Sequence, residues 1–297
     1  MKQSLWTGVA GLSVLAVMAA PVFARAMMIA PAPIPQRVAQ SDAVVIGKVT
    51  GFGDKLVNAK AIFGDAKVDY QIAIVRVEDA FLGAKDAKEI KVGFVPPPPP
   101  PVPMPGPGPV LIIKRHPQFN LTLDQEACLF LVKHPTEDFY VGVQYYDFIN
   151  KTGDANFDKS MDEVRRAAKL LADPAAGFKS KEADDRFLTA ALLVTRYRMR
   201  RVGGAGKTEP IDAEQSKQIL QALADADWAP KVGGPVGFRL TPQRVFFQLG
   251  LTPKDGWTQP KDFNQTADEA KKWLQDNADK YRIEHFVADK DEKKDDK

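Results

Sequence analysis

Val44-Val45-Ile46-Gly47-Lys48-Val49 and the run VDYQIAIVRV from Val68 to Val77 are the stretches whose reading decides the fold. Both are dense in β-branched residues, which pack well on a pleated surface and lose side-chain freedom in a helix. In the second run, Gln71 and Arg76 fall on opposite parities, so its apolar residues occupy both faces. Such a strand needs cover on both sides. Glu89 to Val95 reads as a third strand, and Cys128 to Val132 with Phe139 to Tyr145 as a hairpin pair around His134-Pro135-Thr136. Strands of this kind with turn signals between them predict a small closed barrel or sandwich.

Between the third and fourth strands lies Pro96 to Pro109, PPPPPPVPMPGPGP. Proline has no backbone donor, so this segment cannot join a ladder and is predicted as an extended polyproline II loop inserted in the barrel. A docking ligand for an aromatic-lined groove is the functional alternative.

After residue 155 the apolar period lengthens from that of a strand to that of a helix. Ser160 to Ala172 places Met161, Val164, Ala168 and Leu171 on one face, with Ser160 and Glu163 as a capping box. Lys181 to Arg201 predicts a long helix with a broad apolar surface, suited to the centre of a bundle. Asp212 to Asp225 is a third helix, with Asp212 and Gln215 as its box. Thr241-Pro242 opens a short fourth, and Thr266 with Glu269 caps a fifth that carries Ala270, Trp273, Leu274 and Tyr281.

The N-terminus reads as an export signal: Lys2, then Leu5 to Ala20 without a charge, then Ala24-Arg25-Ala26. The apolar run, roughly 16 residues, falls short of the ~20 that span a bilayer. Cleavage after Ala26 is predicted, with Ala20 as the second site and an uncleaved N-terminal anchor as the alternative. Removing residues 1–26 takes away Lys2 and Arg25 and no acid, so the net charge of +3 becomes +1. A near-neutral chain has no global field to draw it to nucleic acid or anionic lipid. The predicted location is exported: periplasmic, cell-surface or extracellular. The single cysteine, Cys128, lies in an apolar run and reads as a buried hydrophobe, with an intermolecular disulfide as the alternative.

No motif completes a catalytic, cofactor or metal constellation. Gly203-Gly204-Ala205-Gly206-Lys207-Thr208 resembles the end of a phosphate loop, but Arg201 stands where the leading glycine belongs and a helix, not a strand, is predicted before it. It reads as an inter-helix linker, so no nucleotide is expected. Asp154, Asn156, Asp158, Ser160 and Asp162 alternate as in a calcium loop, yet Lys159 and Arg165 occupy the sixth and twelfth positions, which require Gly and Glu. Asp154, Asn156, Asp158 and Asp162 are the weak calcium candidate, and no cofactor is expected. His116, His134 and His285 have no ligand spacing, and surface loops suit His116 and His134. Arg196, Arg198, Arg200 and Arg201 end the long helix, where cations favour the dipole; an anionic-polymer site is the functional alternative. Asn120, Asn150 and Asn264 begin N-x-T sequons, which matter only in a glycosylating host.

Residues 39–150 carry a resemblance. Ser41-Asp42-Ala43-Val44-Val45-Ile46-Gly47-Lys48-Val49, then Ile74-Val75-Arg76-Val77 with Phe81-Leu82-Gly83, then Cys128-Leu129-Phe130-Leu131, look like the OB-fold module of netrin-like domains and tissue inhibitors of metalloproteinases. Similar modules occur in uncharacterised exported bacterial proteins. The resemblance implies an OB-like barrel. Those inhibitors chelate the protease's metal through an N-terminal Cys and carry several disulfides, and this chain has neither, so their inhibitory residues do not transfer.

The expectation is therefore an α+β chain: a signal peptide at 1–26, an OB-like β-barrel domain at 27–155 with its Pro-rich loop at 96–109, an α-helical bundle at 156–288, and a disordered charged tail at 289–297. Its expected role is non-enzymatic binding or scaffolding, with a protein or cell-envelope polymer as partner and no membrane span after cleavage. The alternatives are a protease-inhibitor-like module acting through the edge near Ala39 to Asp42, and an enzyme whose site converges only in three dimensions.

Overall fold

The computed structural model describes residues 31–97, 118–200, 206–229 and 240–287. The predicted signal segment with Ala26, residues 98–109 of the Pro-rich stretch, His116, Arg201 to Ala205 and the charged tail at 289–297 lie outside them. The described residues, all from Pro31 onward, belong to one compact unit. They form a mixed α+β structure with a multi-stranded sheet and seven α-helices.

The sheet is built from β1 (Ala43–Phe52), β2 (Val57–Lys60), β3 (Lys67–Leu82), β4 (Glu89–Phe94), β5 (Glu126–Lys133), β6 (Tyr140–Val141) and β7 (Phe148–Asn150). β1 pairs with β3, β3 with β4, β4 with β6, β6 with β5, and β5 returns to β1. The β4–β6 pairing is parallel and only two residues long, Val92↔Tyr140 and Gly93↔Val141. Gly93 makes that pairing possible, since a Cβ there would lie 2.6 Å from the Phe139 ring. Gly47 plays the same part in β1, where a Cβ would meet the Arg76 carbonyl oxygen at 2.7 Å.

Alternation sends the two faces of β1 and β5 into different cores. Ala43, Val45, Val49, Ala127, Leu129 and Leu131 pack with β3 and β4 residues such as Val75 and Val92. Val44, Cys128 and Phe130 face the opposite way, against helices. These are α1 (Ile34–Gln40), which supplies Val38 and Ala39; α2 (Phe157–Ala172), which supplies Met161, Val164 and Ala168; and α4 (Ala183–Arg198), which supplies Leu192. The other face of α4 belongs to a helical core. There Ala190, Ala191 and Val194 pack with α5 (Ala213–Ala224), α6 (Pro242–Gln248) and α7 (Thr266–Asn277). The boundary near residue 155 thus divides strands from most helices in sequence, while one core joins residues from both sides of it.

Local chemistry sets the helix ends. Asp173 ends α2 and caps α3 (Pro174–Phe178), its Oδ1 accepting from the Ala176 N–H at 3.0 Å. Asp212 and Thr241 cap α5 and α6 in the same way, accepting from Gln215 and Arg244; such caps contribute about 1 kcal/mol each. Two expected boxes are absent. Asp154 accepts from the Asn156 N–H at 2.8 Å, and the helix starts at Phe157, so Ser160 lies within it. A 3-10 turn, Phe263–Gln265, capped by Asp262, runs straight into α7, so Thr266 is buried and caps nothing. The long helix is also shorter than expected, ending at Arg198. β8 (Thr208–Pro210) pairs with β9 (Glu284–Phe286), adding a small sheet to the helical region that apolar periodicity does not reveal.

The expected strand from Phe139 to Tyr145 is cut short. Only β6 forms within it: Asp147 folds back and accepts from the Val143 and Gln144 N–H groups at 2.9 and 2.7 Å, and a separate strand, β7, begins at Phe148, beyond the expected range.

All three described tryptophans, Trp228, Trp257 and Trp273, lie in or against the helical core. Leu129→Ala, deep in the sheet, should cost about 2–5 kcal/mol. Tryptophan fluorescence in a denaturant titration should report the full shift, because one core couples the two regions; an unmoved tryptophan midpoint would show that they unfold separately.

Candidate functional site

Two clefts meet along β7. One, of about 720 Å³, lies between the start of α1, β7 and the start of α2, and Arg37, Tyr146, Asp154 and Glu163 are among its walls. The other, of about 510 Å³, lies between β7 and the segment entering β5, with Asn120, Thr122, Asp124 and Gln125. Phe148, Asn150 and Thr152 line both. Neutral hydrogen-bonding side chains predominate around the second cleft, and some are already ordered: the Gln125 side-chain amide donates to Asn150 Oδ1 at 2.8 Å and its oxygen accepts from the Thr122 N–H.

A buried ion pair underlies the first cleft. Arg37, 6% exposed, comes from α1 and stacks over the Phe130 ring at 3.9 Å. It donates to the Tyr146 carbonyl, and its Nε lies 4.0 Å from Asp147 Oδ1 without a hydrogen bond of its own. Desolvation by burial lowers the Arg37 pKa and raises that of Asp147, against their mutual attraction and the two backbone N–H groups that Asp147 accepts. The pair therefore costs more in lost hydration than its attraction returns. Its consequence is positional: it fixes α1 against the turn from which β7 leaves. Sequence reading missed both residues. The signal was a lone charge within an apolar setting, Asp147 between Tyr145-Tyr146 and Phe148-Ile149.

The expected candidates scatter. Asp154 makes its local turn and lines the first cleft, Asn156 sits at the α2 N-cap position, Asp158 is in the first helical turn, and Asp162 pairs with Arg165 at 3.0 Å. No group of three or more His, Cys, Asp or Glu residues that could hold a metal ion occurs among the described residues. His134 corrects an expectation: it is 2% exposed, not a surface residue. Pro135 turns the chain so that the ring packs on Phe139 and Tyr70. Its Nε2 donates to the Lys60 carbonyl at 2.9 Å and its Nδ1 accepts from the Glu137 N–H at 3.1 Å, a neutral tautomer assigned by its partners. Neither His134 nor His285 lines the clefts.

Ala39 and Ser41 are buried, and Asp42 bonds β5 through its own N–H and carboxylate, so Ala39 to Asp42 is not a free edge. Lys207 leads into β8, where a phosphate loop would lead into a helix. Arg198 donates to the Gln248 and Glu284 carbonyls, tying α4 to α6 and β9. Among the described residues no helix is long and apolar enough to cross a membrane.

Replacing Arg37 by Met strands Asp147 and should cost about 3–5 kcal/mol, most of it recovered in Arg37→Met with Asp147→Asn; additive losses would contradict the pairing. With its pKa raised, Asp147 holds its proton in the fold to higher pH than in the unfolded chain. It therefore favours the fold at low pH, and that contribution is lost as pH rises through the raised value. Arg37→Met should extend this loss to higher pH, which urea titrations across pH would read. Cys128 is fully buried and its thiol is pushed up to about 12 by desolvation. A thiol reagent at pH 8 should label it only on unfolding; rapid labelling of the native protein would contradict that burial. No protein-family model matches the chain, and no curated protein is similar to it.

Proposed function

We propose that this chain is an exported, non-enzymatic binding protein whose contact surface is the groove along β7. In this reading an OB-like barrel carries the groove and a helical bundle braces it. The cycle of pairings β1-β3-β4-β6-β5-β1, closed by the parallel β4–β6 contact, supports the barrel. The netrin-like resemblance is consistent with that strand order. Export rests on the order of Lys2, the apolar run and Ala24-Arg25-Ala26.

The observation that carries the binding role is the meeting of two clefts on one short strand, walled by amide, hydroxyl and carboxylate side chains with the Phe148 ring between them. Such a surface offers hydrogen bonds and apolar contact without a positioned nucleophile or acid–base pair. Cys128 and His134 are occupied by packing and internal hydrogen bonds rather than turned toward the clefts.

Thr152 is exposed and lines both clefts, so Thr152→Trp fills their junction with little risk to the core. Mature protein should capture a partner from the envelope fraction of its host, and Thr152→Trp should lose that partner while keeping its circular dichroism. Equal capture by both forms would place the contact elsewhere.

A further inference from the structure

The edge of β7, unpaired among the described residues, deepens this reading and rests on it. In an antiparallel pair, residues alternate between those that exchange hydrogen bonds with the partner strand and those whose N–H and C=O point away. Phe130 donates to the Asp147 carbonyl at 2.9 Å, and Lys151 donates to the Glu126 carbonyl at 2.9 Å. With Cys128 opposite Ile149, these bonds commit residues 147, 149 and 151 to β5. Phe148 and Asn150 therefore direct their backbone groups to the other side, into the groove. β7 pairs with no second strand among the described residues, because the β4 contact is confined to β6. No loop or turn hydrogen bond among the described residues reaches the Phe148 or Asn150 backbone.

An unpaired edge is a template for another extended chain. The clefts along this one give space for side chains on either side of an added strand. Their charge selects its sign. Asp154 and Glu163 stand in the first cleft and form no ion pair among the described residues. Asp124 and Glu126 stand in the second and are partly balanced by Lys48 and Lys151. Arg37, the one basic residue lining either cleft among the described residues, is committed to Asp147 and the Tyr146 carbonyl. An acidic or phosphorylated partner would meet like charge.

We infer that the β7 edge binds an extended, lysine- or arginine-bearing peptide segment of a partner protein, which adds as a strand beside Phe148 to Asn150. The main-chain bonds supply the register, and Asp154 and Glu163 supply the preference for basic side chains. A neutral glycan could use the amide side chains but not the alternating backbone groups, which recur at the two-residue spacing of a strand.

The test uses mature protein and three peptides of about twelve residues. One alternates Lys with Val or Thr, one replaces Lys with Glu, and one is the Lys form N-methylated at alternate residues. Fluorescence anisotropy should show the Lys form binding ~10-fold or more tighter than the Glu form, and the N-methylated form not binding. Asp154→Lys combined with Glu163→Lys, both exposed positions, should lower affinity for the Lys peptide ~10-fold or more while leaving the fold intact. Equal binding of both charges, undiminished binding of the N-methylated peptide, or no peptide binding at millimolar concentration would each overturn the added strand. If peptides fail while Thr152→Trp still abolishes partner capture, the groove stands as the contact surface and the strand mode falls.

Discussion

Two adjacent strands, β1 and β5, are buried on both faces, and much of the structure follows from that constraint. Odd-numbered residues such as Val45 and Leu129 fill a core among strands, and even-numbered ones such as Val44 and Phe130 fill a core against helices. Each large apolar side chain so buried contributes roughly 1.5–3 kcal/mol. The share of the even-numbered residues is gained only if α1, α2 and α4 cover the outward face. α4 then has to satisfy two cores, and its buried stretch from Thr189 to Thr195 meets that demand with Ala190, Ala191, Leu193 and Val194 on one side and Leu192 on the other.

Covering the sheet in this way brings Arg37 beneath the turn before β7. Its guanidinium lies on the Phe130 ring and against Asp147, and Asp147 in turn holds the Val143 and Gln144 amides. Burying charge is costly, so the pair acts to specify position more than to add stability. What it positions is the departure of β7 along β5 after β4 has ended its pairing at Gly93. The open edge and its clefts are thus a result of packing on the opposite face of the same strands.

Much of this was legible in the chain. The β-branched runs at Val44 to Val49 and Val68 to Val77 announced β1 and β3, and the buried state of Cys128 followed from its apolar neighbours. Cover on both faces, expected of Val68 to Val77, belongs to β1 instead, and Arg76 in β3 is exposed. Asp212 and Thr241 marked real helix starts, each accepting from the N–H three residues on. Ser160 and Thr266 carried the same signature and failed, since Asp154 and Asp262 formed local turns first and moved the start of helix upstream. His134 looked like a turn residue and is buried, because its ring finds a carbonyl on the β2 strand at Lys60, far away in sequence. The groove was hidden for a similar reason. Its walls come from α1, residues 118–126, β7 and the first two turns of α2, and no short motif joins them. Only the isolated charge of Asp147 among aromatic and aliphatic neighbours hinted that a partner waited elsewhere.

Residue-resolved amide hydrogen exchange on the protein reaches this β7 edge most directly. Ile149 and Lys151 should be protected by their bonds to β5, while Phe148 and Asn150 exchange fast and slow down only when a bound segment pairs with them. Strong protection of Phe148 and Asn150 in the unliganded protein would mean that the edge is already paired, and the contact surface would have to be sought elsewhere.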